Sequence, residues 1–325
     1  MGVCRFSFEF SKPLWHNASC FFQREMLDVA IVGAGAAGFA AGIYSARSKL
    51  VVGIFGSEIG GTTAKAFEIE NYPGFEKILG RDLAEKMRQH AFGLGVQIFQ
   101  DTVQNVEKVG SEFHLRTVQG NFKARAIVLA TGTRHRHLGA KGEQEFAGKG
   151  VSFCATCDGF FFKDKKVAVI GGGDSAATAA IFLGEVCREV FVIFRKNEMR
   201  AEPFWVDKIL QNKKIKLLPQ TNVLEFCGGA KLESLQLDSG KALPVDGAFV
   251  QIGADPENAL AKELQVETDR RGFLKVDHAQ QTSVDGVFAA GDCTNGSDNF
   301  EQVATAISEG AIAARNIFLW LKKSS

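Results

Sequence analysis

The feature that most constrains the fold is a strand, a glycine-rich turn and an alanine-rich helix that occur in that order twice. From Met26 the chain reads LDVAIVGAGAAGFAAGIYSARSKLVVGIFG, an apolar strand, a turn, a helix of small residues and a second apolar strand. The pattern returns at KKVAVIGGGDSAATAAIFLGEVCREVFVIFRK, with a strand over 167–170, glycines at 171–173, a helix running towards Cys187 and a strand over 189–194. Each is a βαβ unit. Strands that alternate with helices predict parallel sheets with helices on their faces, the doubly wound α/β class, here with two nucleotide-binding folds.

Two more apolar strands end in glycine turns, AIVLATGTR at 126–134 and GVFAAGDCT at 286–294. The second lies far beyond the second βαβ unit, so if it completes the first nucleotide fold, the other fold is inserted into it. The chain then runs as first domain, inserted domain and return, with crossings expected in the Gly- and polar-rich stretches 139–150 and 253–258. At 325 residues it is long enough for two such domains, each with a core that needs no disulfide or metal. Residues 1–25 show neither periodicity nor an apolar stretch suited to a signal peptide. They read as a disordered extension or as the result of a start placed too far upstream, with a transit peptide as the functional alternative.

Gly33, Gly35 and Gly38 form G-x-G-x-x-G between strand and helix. Gly33 permits the tight turn, Gly35 lets the backbone approach a pyrophosphate, and Gly38 allows close helix packing. The phosphates then meet the helix N-terminus, where unpaired N–H groups and the helix dipole favour negative charge. Strand two ends at Phe55-Gly56 without the acid that would take a ribose 2′-hydroxyl, which points away from NAD in the first fold. The second turn, Gly171, Gly173 and Ala176, is a GxGxxA variant. Its following strand ends in Arg195 and Lys196, with Arg200 a short loop away, and positive charge there suits a 2′-phosphate, which arginine grips bidentately. This favours NADP(H) over NAD(H), against the plainer reading of solvated charges at a strand end.

Of seven cysteines, Cys4, Cys20, Cys187, Cys227 and Cys293 are scattered, and only Cys154 and Cys157 form a close pair. An odd number at irregular spacing argues against a secreted disulfide framework and for a reducing, cytoplasmic compartment. A zinc site would need a second close pair of Cys or His, so no metal is expected. A disulfide closing Cys154-Ala155-Thr156-Cys157 cross-links too short a loop to stabilise much, and such loops are typical of catalytic redox pairs. Asp158 is the candidate acid-base group, since thiol-disulfide exchange needs a proton for the leaving thiolate; otherwise it is a solvated turn residue. Lys and Arg total 38 against 37 Asp and Glu, which leaves no basic field for nucleic acid. No apolar run reaches the roughly 18 residues a membrane helix needs. The 28 Phe against 2 Tyr have no explanation at this level.

Taken in order, GAGAAG, EIENYPG, ATG, CATCDG, GGGDSA, FRKNEMRAE, IGADPE and GVFAAGD resemble the low-molecular-weight thioredoxin reductases from Met26 to about Leu321, and CATCDGFF followed by a GGG turn is very specific. The resemblance implies two Rossmann-like domains: an FAD domain of residues 26–138 and 253–325, and an inserted NADPH domain of residues 139–252 that carries the redox pair. A homodimer and a thioredoxin-like protein partner come with it. It implies that Gly33, Gly35, Ala36 and Ala37 cradle the FAD pyrophosphate and that Gly60, Gly61 and Asn71 lie along the flavin side. Asp292, after Gly291, would bind the ribityl chain, and Gln302, Val303 and Ala304 would line the isoalloxazine. Val103, Thr131 and Gly132, with Asp174 and Ser175 beside the second turn, are cofactor-binding positions on the same ground. In the family's logic Cys157 faces the flavin, Cys154 attacks the protein disulfide and Asp158 donates the proton.

Three positions depart from the family pattern. The His-Arg-Arg at the NADPH 2′-phosphate is Phe194-Arg195-Lys196, a glutamate pair after the second fingerprint is Thr178-Ala179, and the arginine before the flavin-lining Gln is Glu301. These leave the dithiol chemistry intact and bear on the electron donor. The expected reaction passes a hydride from NADPH to FAD and electrons on to the cysteine pair and a protein disulfide, with the inserted domain turning on its linkers between the two contacts. Three other readings compete. A flavin dithiol oxidase would lack the basic nucleotide site, a peroxiredoxin-system reductase would carry a further thioredoxin-like domain, and a nucleotide-sensing module would have no use for CATCD.

Overall fold

The computed structural model describes residues 26–66, 68–298 and 300–323. The expectation for residues 1–25, and with it Cys4 and Cys20, lies outside the described residues. The strand Leu27–Val32 is apolar throughout because both of its faces are covered. Val29 and Ile31 pack on one side with Phe39 and Ala41 of the helix Ala36–Arg47, while Leu27, Ala30 and Val32 pack on the other with Leu115 and Leu264. Burial on both faces is the condition under which strands become continuous hydrophobic runs, and it makes the sheet doubly wound. The second unit repeats this, with Val167 and Val169 on one face and Ala168 and Ile170 on the other.

The first sheet has seven strands. Its central member is the long strand Asn121–Leu129, whose two halves pair differently. The early residues run antiparallel to Glu112–Thr117, and the later ones lie parallel between Leu27–Val32 and Val287–Ala289. A strand from near the C-terminus therefore completes the sheet that the N-terminal βαβ unit begins. The second sheet has five strands, all parallel, in the order Val151–Ser152, Gly247–Val250, Lys166–Ile170, Glu189–Ile193, Ile215–Leu218. Beside it lies an antiparallel sheet of Val223–Gly228, Leu232–Leu237 and Ala242–Pro244.

The chain crosses between the sheets as a paired ribbon, Thr133–His135 antiparallel to Ala254–Pro256. The return crossing falls where the glycines around residue 253 suggest. The outward one lies earlier than the stretch 139–150, which instead packs on the second sheet: Phe146 is buried in that core and the carboxylate of Glu143 accepts the amides of Leu138 and Gly139. Glycine content there reflects tight packing, since a side chain at Gly142 would bring its Cβ to 2.3 Å from the Phe226 carbonyl oxygen. Part of the phenylalanine content is core filler: Phe39, Phe55, Phe113, Phe182, Phe226, Phe249 and Phe288 are fully buried, whereas Phe92, Phe160 and Phe161 are exposed. Phe needs no hydrogen-bond partner when buried and Tyr does, which suits it to cores closed on both faces.

Candidate active site

At the first fingerprint, Gly33 has φ +121°, and a Cβ there would sit 1.9 Å from the carbonyl oxygen of Ala130. The turn therefore closes directly over the end of the neighbouring strand. Gly35, the N-cap of Ala36–Arg47, has no side-chain cap, and the space above it is open for 4 Å. The first amides of the helix thus point, uncapped, towards room for an anion. The turn Gly60-Gly61 approaches from the side, with an added Cβ on Gly61 lying 3.3 Å from the Gly35 Cα. Gly291 comes from the far end of the chain so closely that a Cβ on it would be 2.9 Å from the Cβ of Ala37.

That approach carries Asp292 into the same site. Burial, and then the nearby Glu309, push its carboxyl up to about 6, and among the described residues nothing donates a hydrogen bond to it. Asp292 is half-buried, and a partly desolvated carboxylate without a donor gains from a ligand that supplies one. Glu309 holds the turn in place: its carboxylate accepts the Gly291 amide at 2.7 Å, the Thr294 hydroxyl at 3.0 Å and the Ser297 hydroxyl. Sequence reading missed Glu309; its one signal is a lone acid inside an alanine-rich helix, Val303–Lys323. Asn71 reaches across to Gln302, Nδ2 to Oε1 at 2.9 Å, which joins the ENYPG segment to the start of that helix. Val303 is half-buried and Ala304 exposed on its first turn, while Val103 is buried at the head of Val103–Val109. The Thr131 hydroxyl donates to the Glu257 carbonyl at 2.6 Å, and Gly132 follows at φ +67°. Taken together, the open glycine turn, the uncapped helix and the undonated carboxylate fit a nucleotide with a pyrophosphate and a hydroxylated chain, as in FAD.

The second fingerprint has the same construction. Gly171 has φ +147° with an added Cβ 1.9 Å from the Gln251 carbonyl oxygen, and Gly173 faces open space before the uncapped helix Asp174–Val186. The side chain of Asp174 accepts the Glu202 amide at 2.7 Å, and the Arg200 amide donates to the Gly172 carbonyl at 2.6 Å. These two bonds fold the loop after Glu189–Ile193 back onto the turn, so that Arg195, Lys196 and Arg200, all exposed, stand beside it with Ser175. Phe194 is buried and packs on Gly172. Asp174 is thus occupied in positioning the basic loop, and the arrangement fits a dinucleotide that carries an additional phosphate.

Cys154 and Cys157 are joined in a disulfide with Cα atoms 5.3 Å apart, on the short helix Ala155–Asp158. The Cys157 amide donates to Cys154 Sγ at 3.2 Å, and the Thr156 hydroxyl lies 3.4 Å from the same sulfur. Thr156 Oγ1 also donates to the carbonyl of Lys65, which ends the helix Gly61–Lys65 that begins at the first site's glycine turn. The redox helix of the second sheet is therefore seated on the first site, and Thr156, missed in the sequence, is the contact. Asp158 closes the helix, half-buried. Burial pushes the thiols of Cys187 and Cys293 up to about 11, so neither competes as a thiolate. Among the described residues no group of three or more His, Cys, Asp or Glu side chains could hold a metal ion, and no helix is long and apolar enough to cross a membrane.

Two nucleotide-type turns and a cysteine pair seated between them define an oxidoreductase that handles disulfides. The chain belongs to the pyridine nucleotide-disulphide oxidoreductase family, whose model matches residues 27–310. It is 39% identical over 302 residues to a thioredoxin reductase of Mycolicibacterium smegmatis, a match that covers 90% of this chain and 96% of the relative. Among solved structures, Lactococcus lactis thioredoxin reductase in its FR conformation superposes with a TM-score of 0.87 at 34% identity, over 91% of this chain and 99% of that one. Thioredoxin reductase from T. acidophilum gives 0.86 at 39% identity, over 92% and 99%.

Proposed function

We propose that this chain is a thioredoxin-disulfide reductase that binds FAD, takes electrons from NADPH and acts as a homodimer in the cytoplasm. The observation that carries the reading is the Cys154–Cys157 disulfide, seated through Thr156 on Lys65, at the end of the helix Gly61–Lys65 whose first residue packs beside the open turn at Gly35. Residues 26–132 and 257–323, on one side of the ribbon, form the FAD domain, and the residues between its two strands form the inserted NADPH domain. FAD, when bound, supplies the hydride acceptor that connects a two-electron nicotinamide donor to a disulfide.

The protein's own groups do the rest. Gly33, Gly35, Ala36 and Ala37 would hold the pyrophosphate at the helix N-terminus, and Asp292, on the turn that Glu309 fixes, would accept hydroxyls of the ribityl chain. Arg195, Lys196 and Arg200 select the 2′-phosphate of NADPH. Once the disulfide is reduced, the Cys157 amide stabilises a thiolate on Cys154, the sulfur at 3.2 Å from it. Cys154 then attacks a partner disulfide, a mixed disulfide forms, and one partner thiolate leaves with a proton from Asp158. Cys157 attacks Cys154 in turn, which releases the reduced partner and restores the disulfide, two electrons having passed. A four-residue helix pinned to Lys65 cannot reach a bulky protein disulfide at the same time, so the inserted domain swings on its ribbon between the two tasks.

The purified protein is expected to be yellow, with one FAD per chain. A folded, freshly purified protein without flavin would contradict the reading.

A further inference from the structure

One ion pair spans the crevice between the two sheets. Glu70 follows the short strand Glu68–Ile69 of the first nucleotide fold, and Lys208 lies on Pro203–Gln211, the helix whose Trp205 and Ile209 pack in the second core. Lys208 Nζ donates to Glu70 Oε2 at 2.6 Å, with the glutamate side chain only 17% exposed. The ammonium also sits over two aromatic rings of its own helix, 4.5 Å from the centroid of Phe204 and 5.1 Å from that of Trp205. Those rings restrict where the ammonium can sit, which lowers the side-chain entropy lost on pairing. Within the first fold, Lys77 pairs with Glu68 at 2.5 Å, so Glu68 is already taken and Glu70 is left to face Lys208.

We infer that Glu70 and Lys208 are positioning residues for the redox helix: their pair clasps the inserted domain onto the first domain and sets how often the cysteine pair is unseated from Lys65. The inference rests on the domain swing in the proposed function. Thr156, the residue between the two cysteines, is bonded to Lys65, and Glu70 lies just beyond that segment, so the clasp and the seat must form and break together. One neutral hydrogen bond through Thr156 is a weak hold for a whole domain. The charge-assisted bond adds the stronger part, and adds it in a form that salt screens only partly because the glutamate is largely covered.

The test uses holoenzyme whose disulfide has been reduced with a small dithiol, so that it needs no thioredoxin. Alkylation of the peptide bearing Cys154 and Cys157 is followed by mass spectrometry with iodoacetamide and with a 5-kDa-class polyethylene-glycol maleimide, about as bulky as a small protein. The ratio of bulky to small reagent reads the unseated fraction and cancels changes in thiol reactivity. Glu70→Gln keeps the shape of the carboxylate, and Lys208→Met keeps the stem on its rings. Each is expected to raise the ratio about fivefold at low ionic strength, and the double variant by no more than either alone. Lys208→Arg is expected to stay near the wild-type value, which a variant that merely misfolds would not allow. Wild-type ratios unchanged by either charge-removing substitution, or effects that multiply in the double variant, would overturn the clasp. Failure to reduce thioredoxin would leave this readout standing and would fall on the proposed function alone.

Discussion

Asp292 offers the most quantitative test of the first nucleotide site. Its carboxyl stands at about 6 against an ordinary 3.8 because burial, and then Glu309, disfavour the charged form. The gap of about two units corresponds to an upper limit of about 3 kcal/mol at ~1.4 kcal/mol per unit, which solvent lowers because the side chain is only half-buried. The folded-state value is raised, so the carboxylate lowers stability. The penalty is absent below about pH 4, grows as pH rises through 6 and is complete above it. Flavin-stripped Asp292→Asn is therefore expected to be more stable than flavin-stripped wild type at pH 8, by up to about 3 kcal/mol in urea unfolding, with the difference falling to about a third of that at pH 4.5. The same variant should lose FAD more readily, since an amide is a weaker acceptor for the ligand's hydroxyls. A stability difference that does not change between pH 4.5 and 8, or an Asn variant that is less stable at pH 8, would refute the reasoning.

Cys154→Ser and Cys157→Ser should each abolish thioredoxin reduction while FAD stays bound, and because burial holds Cys187 and Cys293 at about 11, neither of those two thiols should rescue them; flavin absorbance and turnover measured on one sample check both halves. Arg195→Ala should raise the KM for NADPH by roughly one to two orders of magnitude, the equivalent of a charge-assisted contact of about 1.5 to 3 kcal/mol, and change that for NADH little. Lys196→Ala should matter less, because a point charge replaces a planar fork. Equal losses for both nucleotides in Arg195→Ala would show that the basic cluster is a solvated strand end, and the donor would then lie elsewhere.

What could be read in advance was whatever a short stretch of chain imposes on itself. Gly33 and Gly171 announce their turns because each opens a glycine fingerprint between an apolar strand and a helix of small residues, at φ +121° and +147°, and the apolar runs at 27–32 and 167–170 announce strands covered on both faces. The insertion of one fold into the other was also legible, since Val287–Ala289 reads as a strand with no partner nearby in sequence. Long-range polar contacts were not. Lys208 and Glu70 are 138 residues apart, Thr156 and Lys65 are 91 apart, and neither pair leaves a local pattern. Glu309 was hidden for the same reason in an alanine-rich helix, although Gly291 and Asp292 depend on it. The outward crossing was misplaced because glycines at 139, 142, 148 and 150 suggest a loose linker, whereas at least two of them are required by close backbone contact with the second core.

The central claim is that electrons from a pyridine nucleotide leave through Cys154 and Cys157 to a protein disulfide. Anaerobic mixing of holoenzyme, NADPH and oxidised thioredoxin, with NADPH absorbance and free thioredoxin thiols counted together, tests it most directly. One NADPH should be consumed for each thioredoxin disulfide opened, at a much lower rate with NADH and not at all in Cys157→Ser. NADPH consumed without thiols appearing, or thiols appearing as fast in the Cys157→Ser variant, would contradict the account.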